Sequence, residues 1–240
     1  MKISFSPLPE ATVKGSSLAR ISTRKTPLWL LIGFWVSIAI SVAAVLRRLV
    51  AIAHPLQSGP TQMVTLDATF ASHAALTIAH IVPAMAFVLL IPFVFLRRTE
   101  TPWAERLLFP LGAIVSVTAY AMNRYSIGGW VERSAVLFFN SLFLFSLACA
   151  YGFMRGEQHL LMRRWLTRAV GILLGIATTR PVMGVFFATS RWTHLEPSQF
   201  FGIAFWIGFS INTIAVELWL HFRGRQPQTE RMAAHAGMEL

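Results

Sequence analysis

The fold is decided by Arg163–Ala188, RRWLTRAVGILLGIATTRPVMGVFFA, where a basic cluster is followed by about twenty apolar residues. A soluble core could not easily cover so long an apolar run. A bilayer covers it, because a membrane-spanning helix needs about 20 predominantly apolar residues. Arg180 and Pro181 lie inside the run. The stretch therefore predicts a membrane-spanning helix that carries one arginine into the bilayer.

Composition and charge place the whole chain in the membrane class. Of its 240 residues, 55% are hydrophobic and 13% are charged, whereas soluble domains carry about 25% charged residues. The formal net charge of +11 would suit a nucleic-acid-binding protein if it formed a basic patch on a soluble domain. Here the charges lie between apolar runs, where they orient helices, which argues against nucleic-acid binding. The single cysteine, Cys149, allows neither an intramolecular disulfide nor a zinc site.

Five further apolar runs indicate an all-α, polytopic membrane protein with a six-helix transmembrane bundle. Residues 1–26 form a basic lead, residues 27–222 the transmembrane domain and residues 223–240 a flexible tail. The predicted spans are about 28–46, 73–96, 107–122, 134–154, 169–188 and 200–220. A secretory signal peptide is the competing interpretation of the first run. That run is longer than the 7–15 residues of a signal core, which favours an uncleaved span.

The distribution of lysine and arginine predicts how the spans are threaded. With six spans, fifteen of the 21 basic residues lie on the side that holds both termini, five lie on the other side, and Arg180 lies within the membrane. Positive residues accumulate in cytoplasmic loops. We therefore expect a multi-pass protein of the bacterial inner membrane, embedded in the lipid bilayer, with its lead and its tail both cytoplasmic.

Local signals predict two details of the bundle. The longest connection, residues 47–72, is interrupted by turn formers such as Pro55 and Pro60, and its first part, residues 49–56, suggests a short interfacial helix. Gly171 and Gly175 in the fifth span have the small-xxx-small spacing that lets two membrane helices approach closely.

Three predicted spans carry polar side chains into the half of the bilayer away from the termini. His80 lies roughly 10 Å deep and Arg180 roughly 12 Å deep at about 1.5 Å per residue, and Asn140 falls at a similar level. An ionisable side chain inside the bilayer is costly and is by default a hypothesis of function. These three residues are therefore candidates for binding a ligand or cofactor, although the sequence does not show that their helix faces meet.

Each of these residues also has a structural interpretation. His80 can hydrogen-bond to a neighbouring helix. Arg180 can satisfy carbonyls freed by Pro181, or its long side chain can reach the interface. Asn140 and Asn212 can each bond across a helix pair.

A second set of candidates lies on the side of the membrane that holds the termini. Two loops there contain several charged residues and a histidine, namely Glu105, Arg106, Glu157, His159, Arg163, Arg164 and Arg168. Contacts with anionic lipid head groups explain such a set. The alternative is a bound anionic ligand or quinone head group, with His159 as a candidate cofactor-binding residue. No catalytic motif or metal-ligand spacing stands out, so neither a catalytic residue nor a metal site is predicted.

About half of the chain, residues 73–188, resembles a family of bacterial multi-pass membrane proteins, the domain-of-unknown-function 2306 family. The residues that carry the resemblance are Leu76–Ile81 with His80, Pro92-Phe93, Gly128-Gly129, Arg163–Arg168 and Arg180. The family pattern has histidines where this chain has Glu105 and Met162, and those histidines would invite a haem or a metal. His159 lies three residues before Met162 and is the nearest substitute. The resemblance implies a multi-pass membrane fold.

These features predict an integral inner-membrane protein that binds a small ligand, a lipid or a protein partner between its helices, without enzymatic activity. One alternative is an electron carrier that uses a quinone or haem b, the latter held by His80 or His159. Another is a small-molecule transporter, whose mark is interrupted helices paired between two halves.

Overall fold

The computed structural model describes residues 28–54, 61–96 and 102–236. Within these ranges the chain is helical apart from short turns and contains no strand. The helices there are α1 (Leu28–Ala53), α2 (Thr61–Ser72), α3 (Ala74–Phe95), α4 (Pro102–Met122), α5 (Gly129–Arg155), α6 (His159–Leu173), α7 (Gly175–Thr193) and α8 (Pro197–Ala236), with a 3-10 turn, Asn123–Tyr125, between α4 and α5. The predicted lead, residues 1–26, and the loop residues Arg97 and Arg98 lie outside the described ranges.

Six segments of the described chain are long and apolar enough to span a membrane, which confirms the predicted fold class. They are Leu30–Ala53, Ala74–Phe95, Trp103–Tyr125, Gly129–Arg155, His159–Ser190 and Ser198–Phe222. Many large apolar side chains on their outer faces are exposed, among them Trp130, Leu160 and Val185. Soluble monomers rarely expose large apolar patches, and in a bilayer lipid covers them.

Several helices differ in extent from the predicted spans. α1 continues to Ala53, so residues 49–53 belong to it and form no separate interfacial helix. α2 occupies part of the predicted connection, and α8 continues to Ala236 where a flexible tail was predicted from residue 223. A helix can extend beyond the end of an apolar run, because each added residue gains a backbone hydrogen bond whatever the polarity of its side chain.

The stretch Arg163–Ala188 forms one span from two helices. α6 ends at Leu173, Leu174 is a turn, and α7 begins at Gly175. The Ala177 amide donates to the Leu174 carbonyl at 2.9 Å, the tighter spacing of a 3-10 turn. The span is therefore interrupted near its middle.

Glycines set the close approach of α8 to this interrupted span. A Cβ added at Gly175 would lie 2.6 Å from Cδ1 of Phe209, and one added at Gly208 would lie 2.6 Å from the backbone nitrogen of Thr179. A Cβ at Gly171 would collide with another side chain of α8. The small-xxx-small spacing of Gly171 and Gly175 thus does bring two helices together, and the partner helix is α8.

The tightly packed core lies in the half of the bundle where α3 and α5 end. Its largest fully buried side chains include Phe87, Ile91, Leu108, Met162 and Leu166. The other half holds α2 and the connection between α4 and α5, and we call it the α2 end. A smaller cluster there joins α7 to α8, and the remaining space forms a cavity.

We predict that Gly208→Ala destabilises the protein while Gly184→Ala does not. The added methyl group at Gly208 meets the backbone of Thr179, whereas a Cβ at Gly184 meets nothing within 4 Å. Overpacking of this kind costs about 1–3 kcal/mol. Thermal unfolding of the detergent-purified variants measures the difference. Equal midpoints for the two variants would contradict the close packing of α7 and α8.

Candidate ligand-binding site

A cavity of about 280 Å³ lies between the helices at the α2 end. Each of the helices α1 to α8 contributes to its lining. Along α3 and the residue before it, the lining runs from His73 to Val88, which is about 22 Å at 1.5 Å per residue, so the cavity is elongated. Its volume is close to the lower end of the range of about 300–1,000 Å³ found for small-molecule sites.

Three of the four residues predicted from the sequence line this cavity. His80 reaches it from α3, Asn140 from α5 and Arg180 from α7. The helix faces that carry these three residues therefore converge on one cavity, which the sequence alone could not show. His159 is exposed at the start of α6, at the opposite end of the bundle, so the structure does not bring it together with the other three.

His80 and Asn140 are engaged by neighbouring helices. His80 Nδ1 lies 3.0 Å from Thr118 Oγ1 of α4. Asn140 Nδ2 donates to the Ser116 carbonyl at 3.0 Å, and Asn140 Oδ1 accepts from the Ser116 hydroxyl at 2.8 Å. Both residues thus make the interhelical bonds that their structural interpretations predict. The Asn140 amide is bonded through both of its polar atoms.

The guanidinium of Arg180 has no such partner. Its Nε is buried and has no hydrogen-bond acceptor in the described part of the chain, so bonding to a carbonyl freed by Pro181 does not account for this atom. The ion pairs of the described residues do not include Arg180. Among the described residues, the charged groups that interact with it are Arg47 and Arg48, which are also cationic.

A second residue that lines the same cavity, Asn123, also holds a buried atom without a partner. Asn123 lies in the 3-10 turn, where its Nδ2 donates to the Arg133 carbonyl at 3.4 Å. Its Oδ1 is buried and has no donor among the described residues. Since about 90% or more of buried polar groups have a partner, an unpaired acceptor and the unpaired Arg180 Nε in one cavity call for an explanation.

An ion pair joins α1 to α2 at the edge of the cavity. Arg48 Nη1 donates to Asp67 Oδ1 at 2.8 Å, and Arg47 Nη2 lies 3.4 Å from Asp67 Oδ2. The Arg48 guanidinium also lies 3.9 Å from the ring centroid of Phe70, a cation–π contact. We call this set of four residues the α1–α2 clasp. It holds α2 against the bundle, where Phe70 lines the cavity.

Sequence reasoning missed several residues at this site, namely Arg48, Asp67, Asn123 and Glu132. One signal for the clasp was present. Asp67 is the one acidic residue between Glu10 and Glu100, and an isolated carboxylate in a connection that begins with two arginines suggests an internal ion pair. Asn123 carried no comparable signal, because a polar residue in a turn is ordinary.

Three of the seven candidates at the opposite end, Glu105, Arg163 and Arg168, are paired within the protein. Arg163 lies 3.5 Å from Glu105, and Arg168 makes two hydrogen bonds to Glu217, at 2.6 and 3.1 Å. Met162, where the resemblance predicts a histidine, is 1% exposed and packs in the core. These contacts use Arg163 and Arg168 to join helices.

Comparison of the chain with models of protein families, with curated proteins and with solved structures finds no match. The resemblance of residues 73–188 to the domain-of-unknown-function 2306 family therefore stays a prediction.

We predict that Asp67→Asn releases α2 from the bundle. Asp67 is 3% exposed, and removing one partner of a buried ion pair is strongly destabilising. Hydrogen exchange of the α2 amides should accelerate by roughly tenfold to a hundredfold, as local opening becomes easier.

The control is Glu105→Gln, which weakens the ion pair with Arg163 at the opposite end and should leave exchange in α2 unchanged. If α2 exchanges at the wild-type rate in Asp67→Asn, the clasp does not hold it.

Proposed function

We propose that this protein is an integral membrane protein that binds a small ligand in the cavity at the α2 end. One observation carries the proposal: Arg180 Nε and Asn123 Oδ1 are the two buried side-chain atoms without a partner in the described chain, and both residues line this cavity. A ligand with an acceptor oxygen at the Arg180 guanidinium and a donor group at the Asn123 side chain would compensate both residues.

The energetics of buried polar groups support the proposal. An unsatisfied buried donor or acceptor costs about 1–3 kcal/mol, and more if it is charged. A protein that retains an unpaired buried group is less stable for it in the unbound state. A ligand that pairs with the group regains this free energy as binding affinity. Apolar cavities can stay empty, whereas polar cavities hold water or a ligand.

An electron carrier is the alternative that one observation favours, because His80 lines the cavity and one histidine can ligate a haem. The second histidine in the lining, His73, has its ring 3.7 Å from the Tyr125 ring. A quinone could instead accept a hydrogen bond from Arg180. A Soret band in the purified protein would favour the haem b carrier over the ligand-binding protein.

A transporter is a weaker alternative. Its mark is interrupted helices paired between two halves of the chain. The break at Leu174 interrupts the fifth span, but α3 continues through Pro83 and Pro92 without a break, and α1 and α5 are likewise continuous in the described chain.

We also propose that the protein lies in a bacterial inner membrane with both termini cytoplasmic. Six spans put the two termini on one side, and the excess of lysine and arginine on that side supports a cytoplasmic location. A cysteine at Ala234, in a Cys149→Ala background, should react with a membrane-impermeant maleimide only after the cells are opened. Labelling in intact cells would reverse the proposed orientation.

We predict that filling the cavity removes a bound small molecule. Native mass spectrometry of the protein purified from its own membrane should show a non-protein adduct, and Ala119→Phe should reduce its occupancy at least tenfold, because Ala119 lines the cavity and a benzyl group would take up ligand space.

The matched control is Ala121→Phe, which lies on the same helix with an exposed side chain and should keep the adduct. Size-exclusion chromatography checks that both variants remain folded. Absence of any adduct from the wild type, or equal occupancy in the two variants, would contradict ligand binding in this cavity.

A further inference from the structure

The charges around the cavity differ in whether they are already compensated. Arg48 is paired with Asp67 in the clasp. Glu132, the acidic residue in the lining, accepts a hydrogen bond from the Gly128 amide at 2.6 Å, and its charge is attracted by Arg133. Arg180 is the lining residue whose charge no described carboxylate offsets, and the described cations that interact with it, Arg47 and Arg48, repel it. The cavity therefore presents one uncompensated cation.

The chemistry of guanidinium defines what fits this cation. Its planar set of N–H donors matches the two oxygens of a carboxylate or a phosphate, with which it forms short, charge-assisted hydrogen bonds. The buried Nε needs an acceptor in particular. A neutral or cationic ligand would leave the charge of Arg180 uncompensated in an apolar surrounding, which is unfavourable.

Most of the cavity beyond Arg180 is apolar. Four side chains from α5 and α8 form one side of it, which we call the aromatic wall: Phe139, Phe143, Phe205 and Phe209. The Phe139 and Phe209 rings are stacked with centroids 5.3 Å apart, and the Phe205 and Phe209 rings 5.8 Å apart. These contacts join three of the four rings.

The wall extends away from Arg180 along the membrane-spanning direction. Phe209 packs at the level of Gly175, five residues before Arg180, and the lining continues to Ile172. At 1.5 Å per residue, Ile172 is about 12 Å deeper than Arg180. An apolar chain attached to a group at Arg180 would have room along this wall.

We propose that the cavity binds an anionic amphiphile, with a single carboxylate or phosphate group at the Arg180 guanidinium and an unbranched apolar chain along the aromatic wall. This inference rests on the proposed function and adds the chemical class of the ligand. Carboxylate and phosphate share the required charge and oxygen geometry, and they point to a fatty acid or to a lipid phosphate as the source.

Four probes with the same decyl chain test the proposal on the purified protein in a nonionic detergent. They are decanoate, decyl phosphate, decanol and decyltrimethylammonium, and binding is measured by titration calorimetry. The tighter-binding anion should bind at least tenfold more tightly than decanol, and decyltrimethylammonium should bind least. Preference for decanoate assigns a fatty acid, and preference for decyl phosphate assigns a lipid phosphate.

Variants of Arg180 locate the anion. Arg180→Gln should weaken binding of the preferred anion by about tenfold to a hundredfold, the range for hydrogen bonds to charged groups, and should leave decanol unaffected. Arg180→Lys keeps the charge but loses the planar donors and should fall in between. The control Arg155→Gln, exposed at the opposite end of the bundle, should bind like the wild type.

The outcomes separate this inference from the proposed function. Equal affinity for decanol and both anions in the wild type, with all binding lost in Ala119→Phe, would overturn the anionic class and keep the cavity as a ligand site. Anion binding unchanged in Arg180→Gln would also overturn the inference. Failure of every probe, together with an adduct that survives Ala119→Phe, would overturn both. If Arg180→Gln fails to fold, the probe series on the wild type still shows whether the cavity prefers an anion.

Discussion

The hydrogen-bonding requirement of a membrane interior governs this structure. Because lipid offers no partner to a polar group, each one must be satisfied within the protein. Across the bundle this is done helix to helix. His80 meets Thr118, Asn140 meets Ser116, and Asn212 meets both Thr178 and the carbonyl of Gly171. Against that background the buried Nε of Arg180 is an exception, and it is the basis of the proposed ligand binding.

Packing explains why the exception lies where it does. Gly175 and Gly208 let α7 and α8 meet almost backbone to backbone, and large buried side chains fill the half of the bundle around Leu166. At the α2 end the same helices enclose space. There the α1–α2 clasp holds α2 beside the cavity, so a helix that does not span the membrane contributes to the site.

The sequence predicts the six spans because the length and polarity of an apolar run decide whether a helix can cross a bilayer. It also predicts the glycine contact of the fifth span and the depth of His80, Asn140 and Arg180, since depth follows from the rise per residue. It does not predict that these side chains face one another, because rotation of each helix depends on packing against its neighbours. α2 was not predicted because its segment is neither long enough nor apolar enough to stand out. Asn123 was not predicted because turns commonly hold polar residues. His159 was chosen for its residue type and lies at the opposite end.

An experimental structure of the protein in a lipid nanodisc, determined without delipidation, would show whether a ligand occupies the cavity. Ligand binding there predicts non-protein density in the cavity, with an acceptor atom within hydrogen-bonding distance of the Arg180 guanidinium. A collapsed cavity in which Nε donates to a carbonyl of the protein itself would contradict it.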